Sequence, residues 1–480
     1  MAKGAVAAGH RLTADAALTI LRDGGNAVDA AIAALWMACV CEPVLASPGG
    51  GGFAMVGQAG RPDKDRLLDF FVETPHFRDP SDLDIQDVSV DFGTATQDFR
   101  VGAGTSAVPG MGPGLFQLHQ DLGSIPMPRL AEPAIYAARE GVRVTDYQEQ
   151  LFKIIAPIFT ATESVRAIYA PDGDLVVSGD TVKNVDLADA LDWIARDGVR
   201  SMTEGDIAEA ILASQGQKGL LDRDALARYA PQWRTPTMSK VGHADASLNP
   251  TPSAGGTLIS AMLSAKAGNA KARAETIDAV DKAWNAAGRS VGEYIRNAHR
   301  GTTHVSIVDS EGLAVAITVS NGEGNGMIVP GCGFMLNNMM GEDDVNPGGF
   351  EPWTEGQRLS SMMAPTIVHE ANGAIAALGS GGSNRIRTAM YQVLARRYAG
   401  GMAIEEAIEA PRMHIEGGHL DFEDFFREDD RDWLAEHFED HRIWPERSMF
   451  YGGVHAVERD PKGGFRGAGD PRRDGVYLQA

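Results

Sequence analysis

Hydrophobic and polar residues alternate most regularly between residues 303 and 320. Residues 303–309 form one alternating run and residues 313–320 a second, and residues 310–312 between them (Ser-Glu-Gly) have the composition of a turn. A period of two residues is typical of β-strands, whose successive side chains point to opposite faces. The pattern therefore predicts a β-hairpin with its turn at Glu311.

A hairpin that folds symmetrically about Glu311 places Thr302 opposite Ser320 and His304 opposite Thr318. Opposed Cβ atoms lie roughly 4.5–5.5 Å apart, so the hydroxyls of Thr302 and Ser320 can hydrogen-bond. The even-numbered face at this end of the hairpin is polar. The odd-numbered face is apolar and carries Val305, Ile307, Leu313, Val315, Ile317 and Val319. An ordinary Thr–Ser cross-strand pair gives the same pattern, so the hairpin alone does not establish a site.

Thr302 follows a glycine at the head of the hairpin, which suits an N-terminal nucleophile that is released by cleavage. A threonine hydroxyl is a poor nucleophile until a base takes its proton, and a free α-amino group of pKa about 7.7–8.0 can be that base. Gly301 offers little steric hindrance to attack by Thr302, so self-cleavage through an ester is expected. The oxyanion then needs converging N–H donors, and the glycine-rich connection at 379–384 supplies candidates before a predicted helix.

Other elements follow from helical and strand periodicity. Residues 14–23 have helical spacing and stop at Gly24, and Asn26 with Asp29 caps a second helix. Residues 185–230 are also helical in pattern.

The second half of the chain predicts further elements. Residues 374–378 predict a buried strand and residues 386–399 a helix. The polar stretch 266–299 is the best linker candidate, and the acidic run 423–432 predicts a solvated face.

The net charge of the chain limits the classes of molecule that it is expected to bind. The chain has 480 residues and a formal net charge of -22, with a pI near 4.9. Nucleic-acid backbones and anionic membrane surfaces would be repelled, so neither is an expected partner. A small-molecule substrate is expected instead.

Three cysteines, at positions 39, 41 and 332, give no even disulfide framework and no zinc spacing, and Cys39 and Cys41 fit a helical core. No metal or organic cofactor is expected. The first residues lack the apolar core of a signal peptide, and no segment approaches the ~18 apolar residues of a membrane span. A cytoplasmic protein is expected, or a periplasmic one if a leader has been removed.

A series of short motifs resembles the γ-glutamyltranspeptidase family of N-terminal-nucleophile hydrolases, in the family's order and over nearly the whole chain. The motifs are GGNAVDAA (24–31), GGGGF (49–53), PSAGG (252–256), TTH (302–304), LNN (336–338), LSSM (359–362), PTIV (365–368), GSGGS (379–383) and GDPR (469–472). The resemblance implies an α+β fold, the four-layer αββα sandwich. It also implies a large subunit, 1–301, and a small subunit, 302–480, cut from one precursor, with a homodimer of the processed pair as one form of assembly.

Site roles also follow from the resemblance. Ser320 is expected to assist Thr302, and Glu342 to bind the α-amino group of the substrate. The oxyanion donors fall on Gly382 and Ser383, with a register uncertain by one because serine replaces the second glycine. The residues expected to contact the substrate's α-carboxylate are Asn321, Ser360 and Ser361.

Two departures from the family pattern concern the substrate. Phe71 stands where the family places the arginine that holds the γ-glutamyl carboxylate. Met339 replaces a polar residue after the LNN motif, and residues 343–357 look short for a full lid. Either Arg358, near Ser360, replaces the missing cation, or the acyl group is less polar.

The sequence thus predicts an amide hydrolase or acyltransferase that acts through an acyl-Thr302 ester on a γ-glutamyl-like amide, with glutathione among the substrates of the family. One alternative is an acylase for a non-glutamyl group, similar to a cephalosporin acylase. Others are an inactive family member that serves as a binding protein and a generic α/β binding module. Intact Gly301-Thr302, Ser320 and the glycine loop argue against the last two.

Overall fold

The hairpin predicted around Glu311 lies at the centre of the larger of two main sheets. The computed structural model describes residues 2–91, 96–265, 268–287, 301–342, 345–346 and 348–480. In it the two strands of the hairpin pair antiparallel, with Thr302 opposite Ser320 and Val308 opposite Ala314. The predicted register is confirmed.

The α-helices in these ranges are α1 (Arg11–Arg22), α2 (Ala27–Cys41), α3 (Met111–Leu122), α4 (Met127–Glu140), α5 (Asp146–Ile154), α6 (Ala156–Phe159), α7 (Glu163–Tyr169), α8 (Val185–Asp197), α9 (Arg200–Thr203), α10 (Asp206–Gln215), α11 (Arg223–Arg228), α12 (Ala254–Leu263), α13 (Ala270–Ala286), α14 (Arg385–Leu394), α15 (Ile404–Glu409) and α16 (Glu428–His437). The predicted capping box of α2 is present: Asn26 accepts from the N–H of Asp29, whose carboxylate accepts from the N–H of Asn26. Within the ranges that the structure describes, no helix is long and apolar enough to cross a membrane.

The strands are β1 (Gly4–Ala8), β2 (Gly51–Gln58), β3 (Arg66–Phe70), β4 (Gln86–Asp91), β5 (Thr96–Val101), β6 (Val142–Arg143), β7 (Thr181–Val182), β8 (Gln232–Arg234), β9 (Thr237–Val241), β10 (Ala244–Leu248), β11 (Thr302–Asp309), β12 (Leu313–Ser320), β13 (Thr366–Glu370), β14 (Ile375–Gly381), β15 (Met413–Glu416), β16 (His419–Glu423), β17 (His441–Trp444), β18 (Gly453–Arg459), β19 (Phe465–Ala468) and β20 (Val476–Gln479). The predicted strand at 374–378 is β14, and the predicted helix at 386–399 is α14 followed by a π-helical turn, Ala395–Ala399.

Two antiparallel sheets hold most of these strands. One is seven-stranded, in the order β20-β1-β11-β12-β2-β3-β8, and the other is six-stranded, in the order β19-β18-β14-β13-β10-β9. Each sheet therefore combines strands that precede residue 301 with strands that follow it. With antiparallel main sheets and helices that pack against them, the fold is of the α+β class, as predicted.

The central hairpin is buried on both faces. Its odd-numbered side chains, such as Val305 and Ile317, share a core cluster with Ile32 and Leu35 of α2. Its even-numbered residues lie toward the second sheet, where β11 and β12 contact β14. Helices also pack against that second sheet: α12 contacts β9 and β10, and α14 contacts β14 and β18.

Part of the stretch predicted as a linker forms a packed helix, which corrects the prediction for that part. Residues 270–286 form α13, because Ala270, Ala274 and Ile277 recur at helical spacing and pack into the core. Asp281 on the same helix is buried and pairs with Arg387 of α14 at 3.0 Å. Residues 266–267 and 288–299 of the predicted linker lie outside the described residues.

The acidic run is only partly a solvated face. Glu423 is fully buried, because Arg472 holds its carboxylate through Nε and Nη2 at 2.6 Å each. Asp470 pairs with both Arg412 and Arg472 in the same network. The GDPR motif is therefore a buried anchor for the C-terminal part of the chain.

The Asp281–Arg387 pair gives a test of how firmly α13 is attached. In a Thr302→Ala background, which keeps the chain whole, Asp281→Ala should lower the free energy of unfolding by about 3 kcal/mol, because it leaves a buried guanidinium short of its partner. Urea denaturation measures this loss. The matched control is Asp278→Ala on the same helix, whose exposed pair with Lys282 is worth at most ~1 kcal/mol. Equal small losses in both variants would contradict the anchoring role.

Candidate active site

Ser320 contacts the bond that precedes Thr302. Thr302 and Ser320 are 5% and 8% exposed, and the Ser320 hydroxyl donates to the carbonyl oxygen of Gly301 at 2.5 Å. The N–H of Gly322 donates back to Ser320 Oγ at 3.1 Å. The single proton of Ser320 thus polarises the Gly301 carbonyl and is not donated to the Thr302 hydroxyl, which corrects the predicted direct bond.

Gly301 lies between two backbone carbonyls. A Cβ built at this position would be 2.3 Å from the carbonyl oxygen of Gly322 and 2.4 Å from that of Val44. Real Cβ atoms do not approach this closely, so only glycine fits without a shift of the backbone. The structure gives a stricter reason for this glycine than the low steric hindrance inferred from the sequence.

The glycine-rich connection lies against Thr302, as the mechanism expected from the sequence would require. β14 extends through Gly381, so the connection to α14 is shorter than predicted and consists of Gly382, Ser383 and Asn384. A Cβ on Gly381 would be only 2.2 Å from the carbonyl oxygen of Thr302. Gly382 has φ 128° and Ser383 φ 51°, a left-handed conformation that is strained for serine and typical of functional sites.

A narrow pocket joins several of the predicted residues. It is lined by Phe71, Thr302, Ser320, Met339, Glu342, Val345, Ser361, Met362, Met363, Ser383 and Ile386. The pocket is narrow, because the centre of a water molecule can reach only about 30 Å³ of it. Three methionines line it, and methionine side chains adapt readily to the shape of a bound group.

Two of the residues expected at the substrate carboxylate are not among those that line the pocket. Asn321 is buried, and its amide donates to the carbonyl of Leu336 at 3.5 Å. The Ser360 hydroxyl donates to the carbonyl of Pro252 at 3.1 Å. Ser361 does line the pocket, and its hydroxyl accepts from the N–H of Met363 at 3.0 Å.

The family model for γ-glutamyltranspeptidase matches residues 13–277 and 265–480, which is nearly the whole chain. The chain belongs to the γ-glutamyltranspeptidase family. Membership makes it an enzyme of the amide hydrolase and acyltransferase class, as the motifs predict.

Relatives of several kinds are similar to this family member. It is 29% identical to a glutathione hydrolase proenzyme of Pseudomonas aeruginosa, over 86% of this chain and 82% of the relative. It is 27% identical to an acylase ACY 1 proenzyme of a Pseudomonas species, over 99% and 93%. Its fold matches the crystal structure of a cephalosporin acylase from Bacillus halodurans with a TM-score of 0.85, at 23% identity and over 99% and 96% of the two chains.

Arg358, the candidate substitute for the family arginine, is not among the residues that line the pocket. Its Nη1 pairs with Glu73 at 2.6 Å and its Nε lies 3.4 Å from Asp69. Its Nη2 donates to the carbonyl of Ala230 at 2.5 Å, and its guanidinium lies over the ring of Tyr229. Its charge is thus already matched by two carboxylates.

Phe71, at the position of the family arginine, is held firmly in the pocket wall. Its N–H donates to Asp69 at 3.0 Å and its carbonyl accepts from the Tyr229 hydroxyl at 2.6 Å. Its ring stacks on Phe53 at 5.4 Å between centroids. Of the predicted short lid, residues 343, 344 and 347 lie outside the described residues, and Val345 lines the pocket.

Glu42 is a site neighbour that the sequence reasoning missed. Its carboxylate, at the end of α2, accepts from the hydroxyls of Thr13 at 2.6 Å and Thr303 at 2.7 Å. Burial raises the pKa of this carboxyl group, and the two hydroxyls oppose the rise. Glu42 therefore fastens β11 one residue after Thr302. An acid directly after the apolar last turns of α2 was the available signal.

The PSAGG motif supports the Ser361 segment. The Ser253 hydroxyl donates to the carbonyl of Ser361 at 2.7 Å, and the N–H groups of Ala254 and Gly255 donate to the same oxygen. A Cβ on Gly255 would be 2.1 Å from the carbonyl oxygen of Met362. The motif thus holds one wall of the pocket from behind.

Gly301→Ala should slow self-cleavage at least ~10-fold, which corresponds to about 1.4 kcal/mol in the barrier, because the added Cβ displaces the scissile peptide. The rate at which the two fragments form on a denaturing gel measures this. Gly348→Ala, where a Cβ meets nothing within 4 Å, is the matched control, and Thr302→Ala is the uncut standard. Cleavage of Gly301→Ala at the wild-type rate would mean that the close packing around this peptide does not matter for cleavage.

Ser320→Ala should also slow cleavage, since it removes the donor to the Gly301 carbonyl. The loss of one such bond is worth about 0.5–3 kcal/mol, so the rate should fall by roughly 2- to 150-fold. Ser320→Thr keeps the hydroxyl and should retain most of the rate. Intact-mass spectrometry over time distinguishes the variants, and an unchanged rate for Ser320→Ala would remove Ser320 from the mechanism.

Proposed function

We propose that this protein cuts itself between Gly301 and Thr302 and then hydrolyses amides through an ester on the Thr302 hydroxyl, with preference for acyl groups less polar than γ-glutamyl. Cleavage would give a 1–301 and a 302–480 subunit. The packing of helices on the outer faces of two stacked sheets supports the four-layer αββα sandwich that this class of hydrolase uses.

The proposed chemistry has two stages, self-cleavage and then turnover of the substrate. In self-cleavage, Thr302 Oγ1 attacks the Gly301 carbonyl carbon, and the C–N bond breaks as the hydroxyl proton passes to the nitrogen, which frees the amine of Thr302. Water then hydrolyses the resulting ester to give the Gly301 carboxyl group and the free Thr302 hydroxyl. In turnover, that amine takes the hydroxyl proton as Thr302 attacks the substrate carbonyl, and the proton passes to the leaving amine. Water then attacks the acyl ester. Backbone N–H groups at Gly382 and Ser383 are the candidates to bind both oxyanions.

The wall of the pocket carries the proposal on substrate choice. Phe71, Met339 and Ile386 supply apolar surface, and no arginine or lysine is among the described residues that line the pocket. A guanidinium holds a carboxylate by two charged hydrogen bonds, whereas a phenyl ring offers none. A γ-glutamyl carboxylate next to Phe71 would thus lose its water without gaining a partner.

The polar residues that line the pocket favour the γ-glutamyl alternative. Glu342 is suited to an ammonium group, and Ser361 can donate to a carboxylate. Two neutral or acidic groups do not replace the missing cation, so this alternative ranks second.

Competition between acyl groups tests the proposal. The matured wild type should hydrolyse aliphatic or aromatic acyl anilides at least ~10-fold better in kcat/KM than γ-glutamyl or glutaryl anilides, a difference of about 1.4 kcal/mol. Phe71→Arg should shift this preference toward the acidic acyl groups by a charged pair worth about 1.5–3 kcal/mol. Phe71→Leu, which stays apolar, is the matched control. Thr302→Ala should hydrolyse none of them.

The Arg358→Ala variant distinguishes a pocket in which Arg358 replaces the family arginine from a pocket that has no cation. Because Arg358 pairs with Asp69 and Glu73, its loss should lower the thermal midpoint and leave the order of acyl preference unchanged. A strong wild-type preference for γ-glutamyl that Arg358→Ala abolishes would reject the apolar pocket.

A further inference from the structure

A buried arginine lies behind the loop that the proposed mechanism uses for the oxyanion. Arg473 ends the short turn Pro471–Arg473 and is 5% exposed. The Asp470 carboxylate caps this turn by accepting from the N–H of Arg472 at 3.0 Å, and Asp474 follows it in a left-handed conformation, φ 54°. The backbone that carries Arg473 is therefore fixed on both sides.

Glycines let the Arg473 side chain reach this loop. A Cβ on Gly453 would be 2.8 Å from Cβ and Cδ of Arg473, so the side chain occupies the space left by that glycine. A Cβ on Gly381 would be 3.2 Å from Nη1, and one on Gly382 would be 3.4 Å from Nη2. The Gly381 position is also 2.2 Å from the carbonyl oxygen of Thr302. The guanidinium, the loop and the backbone of the nucleophile thus meet at one point.

The charge of Arg473 is poorly matched for a buried group. Nε and Nη2 donate to the carbonyl of Met449 at 3.3 and 3.2 Å, Nη1 is buried with no hydrogen bond of ordinary length, and a neutral hydroxyl, that of Tyr147, is a further polar neighbour. The adjacent Arg472 differs, because it pairs with Glu423 and Asp470. Among the described residues no carboxylate forms an ion pair with Arg473. A buried cation in this state is unfavourable until negative charge develops near it.

We propose that Arg473 is a positioning residue that supports the Gly381–Gly382 segment and places positive charge behind it for the oxyanion. This inference rests on the proposed function, since it needs an acyl-transfer step. A fixed charge that is set before the reaction stabilises the transition state without reorganisation at that moment. Arg473 does not touch the substrate in this account. It should act on kcat and leave substrate binding almost unchanged.

Charge-removing and charge-keeping variants of the matured enzyme test the proposal on the best acyl anilide. Arg473→Gln should lower kcat about 10- to 100-fold, less than the ~10²–10³ for a direct oxyanion donor, with KM changed by no more than about twofold. Arg473→Lys should retain most of kcat. Arg466→Gln, which removes the same charge from the exposed surface of β19, is the matched control and should behave as wild type.

Four results would overturn the role of Arg473. They are an unchanged kcat in Arg473→Gln, a Lys variant as impaired as the Gln variant, a rise in KM that accounts for the whole loss, and an equal loss in Arg466→Gln. If Arg473→Gln does not fold, Arg473→Lys decides alone: most of the wild-type kcat supports the role, and a tenfold loss at an unchanged thermal midpoint rejects it. Failure of the proposed function shows separately, as a wild-type chain that stays uncut or hydrolyses no acyl anilide.

Discussion

The burial of one hairpin on both faces is the constraint on which the candidate site depends. Helix α2 packs on one face of β11 and β12, and the second sheet covers the other. A shift of one residue would turn the apolar side chains of the hairpin to the wrong layer, so the register is strongly determined. That register brings Thr302 and Ser320 to the same end of the hairpin. The Glu42 carboxylate holds the strand at Thr303.

Local patterns predicted much of the fold because they are read from neighbouring residues. The alternation of 303–320 was enough for the hairpin register, and Asn26 with Asp29 was enough for the start of α2. The linker prediction was wrong over 270–286, where the chain forms α13. The buried face of this helix is mostly alanine, and alanines are a weaker sign of a core-facing helix than large apolar residues are. Glu423 was also misjudged, since its partner Arg472 is far away in sequence.

The site itself was less predictable, because it depends on which charged side chains form ion pairs in the folded chain. Thr302, Ser320, Gly382 and Ser383 were predicted from motifs, and the structure places them close together. Arg358 could not be assigned in this way. Only the fold shows that Asp69 and Glu73 already match its charge, whereas Arg473, at the end of an otherwise paired cluster, has no such match.

The strand order has a consequence for any chain that has been cut at residue 301. In the larger sheet, β11 lies between β1 and β12, and β12 lies beside β2; in the smaller sheet, β13 lies beside β10. Neither fragment can complete a sheet without strands from the other. The nick would therefore divide the polypeptide without dividing the folding unit. Exchange of subunits between molecules would require global unfolding, so each molecule would keep the partner with which it was synthesised.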